Sequence, residues 1–192
     1  MNSGVGFVFP GQGSQSVGMG KALCDAFPHL TQIYEEASAV LGYDIAALCF
    51  NGPAETLNLT EHTQPALLVS SVAALRALHP ATITPAAVAG HSLGEYTALV
   101  AAGGLTFRDA VAIVQKRGRY MSEAVPAGTG AVAALLGLAA EVVKEACREA
   151  GSAGVVQAAN FNSPGQVVIA GEKAAVERAI EIAKTKGCKK AV

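Results

Sequence analysis

Charge is scarce in this 192-residue chain: Asp, Glu, Lys and Arg make up 15% of it and nearly cancel, to a formal net charge of −1. The lysines and arginines are scattered apart from the pair Lys189-Lys190, so there is no electrostatic footprint for nucleic acid. Cysteine is sparse as well. Cys24, Cys49, Cys147 and Cys188 stand far apart with no C-x-x-C pair, which argues against a disulfide or metal framework and for thiols in a reducing, cytoplasmic compartment. No apolar run reaches the roughly 18 residues of a membrane span without polar interruption. The opening Met1-Asn2-Ser3-Gly4 lacks the basic flank and apolar stretch of a secretion signal. No metal or cofactor is expected. What the chain does have is apolar residues, 51% of the total, enough for a sizeable core and too many for disorder.

Two rhythms divide it. Over residues 1–125 short apolar runs alternate with longer helical patterns: a buried strand at Val5 to Phe9, helical sequence from Ala22 to Leu41, a helix from Gln64 to Leu78 with Pro65 in its first turn, and a strand at Ala86 to Ala89. Such alternation predicts an α/β unit with a parallel sheet covered by helices. Pro126-Ala127-Gly128-Thr129-Gly130 reads as a linker. Residues 126–192 then predict a strand at Ala131 to Leu138, a helix at Ala140 to Ala150, strands at Val155 to Ala159 and Gln166 to Ala170, and a helix at Glu172 to Lys186. That β-α-β-β-α order is one strand short of a ferredoxin-like α+β unit. Lys190-Ala191-Val192 reads as the start of the missing strand, and truncation is the expectation drawn from it.

The most informative run is Gly90-His91-Ser92-Leu93-Gly94, a G-x-S-x-G between an apolar strand and a helix. In that context it makes a nucleophile elbow, with Ser92 lifted clear of the backbone and glycines where β-carbons would collide. The helix that starts at Leu93 and Gly94 offers free N–H groups and a positive dipole end to a developing oxyanion. A plain strand-to-helix turn is the alternative. Pro10-Gly11-Gln12-Gly13-Ser14 follows the first strand, where open α/β sheets bind ligands, so the N–H of Gln12 is a candidate partner for that of Leu93. Nucleotide readings of this loop fail: Met19 stands at the lysine position of a Walker A loop, and Ser16 where a dinucleotide loop needs glycine.

On the helix from Phe107 to Met121 the apolar stripe runs Phe107, Val111, Val114, Gly118, Met121, with Arg117 on its edge. An inward guanidinium needs an anionic partner. Either Glu95 or Glu123 supplies it, or the side chain snorkels, or a ligand brings the charge. Histidine provides no clear base for Ser92: His91 adjoins it, His29, His62 and His79 read as solvated, and His62 and His91 are the weak candidates.

Phe9-Pro10-Gly11-Gln12-Gly13-Ser14-Gln15, Gly90-His91-Ser92-Leu93-Gly94-Glu95-Tyr96 and Asn160-Phe161-Asn162-Ser163-Pro164-Gly165-Gln166 together resemble the malonyl-CoA:acyl carrier protein transacylase family of bacterial type II fatty-acid synthesis. With Gln64-Pro65-Ala66 and Arg117 between them, the resemblance covers essentially the whole chain. It implies an α/β-hydrolase-like domain with an inserted ferredoxin-like subdomain. It implies a two-step exchange in which a serine takes malonyl from coenzyme A and yields it to the phosphopantetheine thiol of acyl carrier protein. By resemblance Ser92 is the nucleophile, Gln12 and Leu93 N–H groups form the oxyanion hole, and Arg117 pairs with the malonyl carboxylate. Gln64, Asn160, Asn162 and Gln166 line the cleft by the same resemblance, with Asn160 and Asn162 on one face of a strand end. Turn chemistry around Pro164 is the plainer account of those asparagines.

The family's catalytic histidine follows the subdomain's last strand, in a segment the resemblance puts beyond Val192. The chain alone is therefore expected to be a poor transacylase. The expected partners are malonyl-CoA and acyl carrier protein, with neither membrane nor nucleic acid, and a monomeric state when complete. The rival readings are a serine esterase or thioesterase of the same architecture, and a fragment that only binds.

Overall fold

In the computed structural model, which describes residues 4–78, 83–125 and 128–192, the apolar run ahead of Pro10 forms strand β1 (Gly6–Phe9). Helices α1 (Lys21–Ala26), α2 (Thr31–Leu41), α3 (Ile45–Asn51), α4 (Ala54–Leu57) and α5 (Thr60–Ala77) follow. Strand β2 (Ala87–Gly90), helix α6 (Gly94–Ala101) and helix α7 (Phe107–Ala124) complete a first compact unit, Met1–Ala124. β1 and β2 pair in parallel, from Gly6 opposite Ala87 to Phe9 opposite Gly90, so the chain ends of both strands meet at one place.

The core of this unit is helical. Every residue of α5 from Thr63 to Val69 is buried, as a helix enclosed on all sides requires. Around it pack Tyr34, Ile45, Leu57, Leu93, Val111 and Val114. Asp44 starts α3 by accepting the Ala47 N–H at 2.9 Å.

Three expectations for this unit are corrected. The helical stretch expected over Ala22 to Leu41 is broken at Phe27, where Pro28 starts a 3-10 turn before α2. Helix α5 begins at Thr60 rather than Gln64, which puts Pro65 inside the helix instead of in its first turn. The strand expected to be buried is covered only at Phe9, while Val8 is 80% exposed. At the carboxyl end of β1, Gly94 lies against the Phe9 and Pro10 carbonyls.

The second unit, Val125–Val192, contains β3 (Gly130–Leu136), α8 (Ala140–Ala150), β4 (Val156–Ser163), β5 (Gln166–Glu172), α9 (Lys173–Thr185) and β6 (Lys190–Ala191). Its antiparallel sheet has the order β4-β5-β3-β6, the ferredoxin-like arrangement. Leu135, Val167 and Ile169 meet Val143, Cys147, Val176 and Ile182 from the two helices. The strand start expected at Lys190 to Val192 forms as β6, with Leu135 paired to Ala191 and Leu136 to Lys190. Val192 extends it through two backbone bonds with Ala134. Pro126 and Ala127 of the expected linker lie outside the described residues, as does His79. Among the described residues no helix is long and apolar enough to cross a membrane.

Candidate active site

β2 delivers the chain to Ser92, which sits at φ 52°, a left-handed conformation that a non-glycine residue adopts only under constraint. The constraint is visible on both sides. A β-carbon on Gly90 would overlap the Gly94 carbonyl group, and one on Gly94 would overlap the Phe9 carbonyl oxygen. The His91 N–H donates to Phe9 O at 3.1 Å, and the Gly94 N–H to His91 O at 2.9 Å. Leu93 is buried in the helical core and pins the turn from below. Ser92 itself is exposed. This is the elbow that the glycine spacing predicts.

The loop after β1 lies against the elbow, since a β-carbon on Gly11 would come within 2.6 Å of His91 O. Side chains hold the loop in place: Gln12 Nε2 donates to Thr60 Oγ1 at 3.1 Å, Gln15 Oε1 accepts from the Gly13 N–H at 2.8 Å, and Gln15 Nε2 donates to Asn58 Oδ1 at 2.8 Å. Neither the Gln12 N–H nor the Leu93 N–H donates to a protein acceptor among the described residues. Both are thus free for an incoming oxygen, with the amino end of α6 adding its dipole.

Arg117 projects from α7 at a point where that helix touches α5 through backbone. A β-carbon on Gly118 would lie 2.9 Å from Glu61 Cα and 3.0 Å from Thr60 O. Arg117 Nη1 donates to Gln64 Oε1 at 2.5 Å, Nη2 donates to Ser92 Oγ at 3.2 Å, and the guanidinium lies 5.7 Å from the Tyr96 ring centroid. Neither expected carboxylate is its partner: Glu123 pairs instead with Arg119 at 3.3 Å, and among the described residues no carboxylate forms an ion pair with Arg117. A cation half out of water, bonded to neutral groups beside an exposed hydroxyl, is suited to receive an anion.

The first unit therefore brings together Ser92, Leu93, Gln12, Gln64 and Arg117. Asn160 and Asn162 stand on β4 and Gln166 starts β5, all in the second unit. Asn160 is opposite Val168, and Gln166 opposite Ser163. Register shifts between Ala158 and Asn160 and between Phe161 and Ser163 interrupt the regular alternation expected to set the two asparagines on one face. Of the histidines, His29 and His91 are exposed. His62 is not the solvated residue expected: its Nδ1 is buried without a hydrogen-bond partner, and its ring meets Tyr43 edge-on at 5.0 Å. The earlier start of α5 carries it there.

Two residues of the site were not anticipated. Tyr96 stands two residues past Gly94 in the first turn of α6, and only its place under Arg117 reveals its use. Met121, assigned by periodicity to the buried stripe, is 45% exposed and accepts a hydrogen bond from Gln64 Nε2 at 3.0 Å.

Comparison with known proteins shows the family of the chain. Residues 6–192 match the family described as acyl transferase domain. The chain is 55% identical over 187 residues to the malonyl CoA-acyl carrier protein transacylase of Escherichia coli (strain K12), covering 97% of this chain and 60% of that protein. It is 51% identical over 191 residues to the protein of the same name from Bacillus subtilis (strain 168), covering 99% and 60%. The chain thus spans about three fifths of the length of these curated relatives. Among solved structures it is similar to a malonyl-transacylase in complex with its type II PKS acyl-carrier protein, with TM-score 0.95, 52% identity and coverage of 99% of this chain and 62% of that one. It is also similar to the acyl-carrier-protein S-malonyltransferase of Burkholderia pseudomallei 1710b, with TM-score 0.93, 54% identity and coverage of 98% and 62%.

Proposed function

We propose, on the premise that this chain belongs to the acyl transferase domain family, that Ser92 takes a malonyl group from coenzyme A and yields it to the phosphopantetheine thiol of acyl carrier protein, in fatty-acid biosynthesis. The observation that carries the reading is Arg117: a guanidinium 3.2 Å from Ser92 Oγ with no carboxylate partner among the described residues. The malonyl group has a free carboxylate at the right end for it. A planar fork grips such a group through two bonds and discriminates against acyl groups that lack one.

In the first half-reaction Ser92 Oγ attacks the thioester carbonyl carbon and gives up its proton, and the oxygen that becomes negative is held by the Gln12 and Leu93 N–H groups. Collapse breaks the carbon–sulfur bond, and coenzyme A leaves as its thiol after taking a proton. In the second half-reaction the carrier thiol attacks the malonyl-serine ester, and Ser92 regains its proton as the oxygen leaves. Arg117 donates to Oγ and so is not the base. Gln64 holds Arg117, and Asn160, Asn162 and Gln166 are assigned to substrate contacts. Residues 1–125 are read as part of the hydrolase-like acyltransferase domain and 126–192 as its ferredoxin-like subdomain. The same reading sets the protein in the cytoplasm, which four free cysteines support, and makes it a monomer when complete.

A thioesterase with the same elbow would leave Arg117 without a task, so the transfer of a carboxylated acyl group is preferred. Intact mass spectrometry after mixing with malonyl-CoA tests the reading. The expected result is a slowly formed malonyl adduct that disappears in Ser92→Ala and is not formed at comparable rate from acetyl-CoA. Equal labelling by both acyl donors would refute the carboxylate clamp.

A further inference from the structure

We propose that Met121 is a positioning residue for the Arg117 clamp, acting through Gln64. Its consequence for substrate choice rests on the acyl-transfer reading above, whereas its geometry does not. Gln64 is 0% exposed, so both ends of its amide must find partners inside the protein. Its Oε1 accepts from Arg117 Nη1, and its Nε2 donates to Met121 Sδ at 3.0 Å. These bonds lock one amide orientation. Turned over, the amide would aim its N–H donors at a guanidinium that has only donors to offer.

Arg117 and Met121 are four residues apart on α7, so they share a helix face, and Gln64 of α5 bridges the two. The helix that carries the cation thus also carries the acceptor that orients the cation's anchor. The chemistry of the acceptor matters. A carboxylate at position 121 would compete with substrate for the guanidinium, while an aliphatic side chain would leave a buried N–H unpaired. A thioether accepts weakly and carries no charge, so it satisfies Gln64 and leaves the positive charge of Arg117 uncommitted. Its exposure of 45% is unlike that of a residue kept for core packing.

Two substitutions separate this role from space filling. Met121→Leu keeps bulk and removes the acceptor, while Met121→Gln keeps an unbranched chain and restores an acceptor. The geometric readout is the Gln64 side-chain amide by NMR. In Met121→Leu its sulfur-bonded proton should shift upfield and exchange with water about threefold to tenfold faster, the loss expected of one modest hydrogen bond, and Met121→Gln should reverse both. The functional readout is the ratio of malonyl to acetyl labelling of Ser92, which should fall in Met121→Leu and recover in Met121→Gln. Unchanged Gln64 resonances in Met121→Leu would overturn the proposal. So would a labelling ratio equal to wild type. If the wild-type chain takes up no malonyl group, that counts against the acyl-transfer reading alone, and the Gln64 resonances still decide this one.

Discussion

Replacing Arg117 by alanine should reverse the acyl preference of Ser92. The wild-type guanidinium has two bonds, to Gln64 Oε1 and to Ser92 Oγ, and stands over Tyr96. Cutting one partner out of a buried, hydrogen-bonded charge pair costs about 3–5 kcal/mol. Arg117 is only partly buried, so solvent screening brings the expected loss for a malonyl carboxylate nearer to about 2–3 kcal/mol. That is a fall of about 30- to 150-fold in the rate of malonyl labelling. Acetyl has no carboxylate to lose, so its labelling should stay within a few-fold of wild type, and the ratio of the two rates should invert. The assay is initial adduct formation on Ser92 from each coenzyme A thioester, followed by intact mass. Arg117→Lys should recover only part of the loss, because an ammonium keeps the charge but not the two-pronged geometry. The variant also leaves Gln64 Oε1 buried without a donor, at about 1–3 kcal/mol, so a melting temperature lower by several degrees is expected. Should Arg117→Ala slow both thioesters equally, the arginine would be holding Ser92 rather than gripping substrate, and the argument for carboxylate selection would be wrong.

The left-handed backbone at Ser92 predicts that Ser92→Gly is more stable than Ser92→Ala by about 1–2 kcal/mol, although neither can form an adduct; equal denaturation midpoints would show that the elbow is unstrained. Alkaline stability should depend on Cys49, whose thiol burial pushes from 9.0 up to about 12. The unfolded chain sheds this proton first, so stability conferred by the buried thiol is present below pH 9 and drains away as the pH approaches 12. The slope is up to about 1.4 kcal/mol per pH unit for the one group. Cys49→Ala should flatten the fall in urea midpoint over that range, leaving the contributions of Tyr34 and Tyr43, both also pushed upward by burial; an unchanged slope would contradict the assignment.

The elbow is legible because most of its determinants are local. Strand, glycines and helix start fall within a few residues, and the clash that Gly90 avoids is with the next turn, whereas the one Gly94 avoids, with Phe9 and Pro10, is long-range. The inward turn of Arg117 was legible from helical period, but its partners were not. Gln64 is 53 positions away, and the pairing depends on how closely α5 and α7 approach. The start of α5 is hidden because proline ordinarily marks a helix's first turn, whereas Pro65 lies inside this one. No side chain caps the true start at Leu59, so the sequence there offers no competing signal. The break at Phe27 is hidden for the opposite reason: apolar spacing continues across Pro28 although the hydrogen-bond ladder cannot. Met121 shows the limit of periodicity, which assigns a residue to a face without saying what polar atom waits there.

Gly118 has a consequence for how this protein can change. Where most helix pairs are spaced by interlocking side chains, which sequence drift can exchange for others of similar volume, α7 at Gly118 lies directly against the backbone of α5. The smallest possible addition, one methyl, would drive the helices apart and carry Arg117 away from both Gln64 and Ser92. Variation or engineering aimed at a different acyl group therefore has little room in the helix spacing. It must work through the tips of the side chains at positions 64, 117 and 121, while the gap between the helices serves as a fixed gauge.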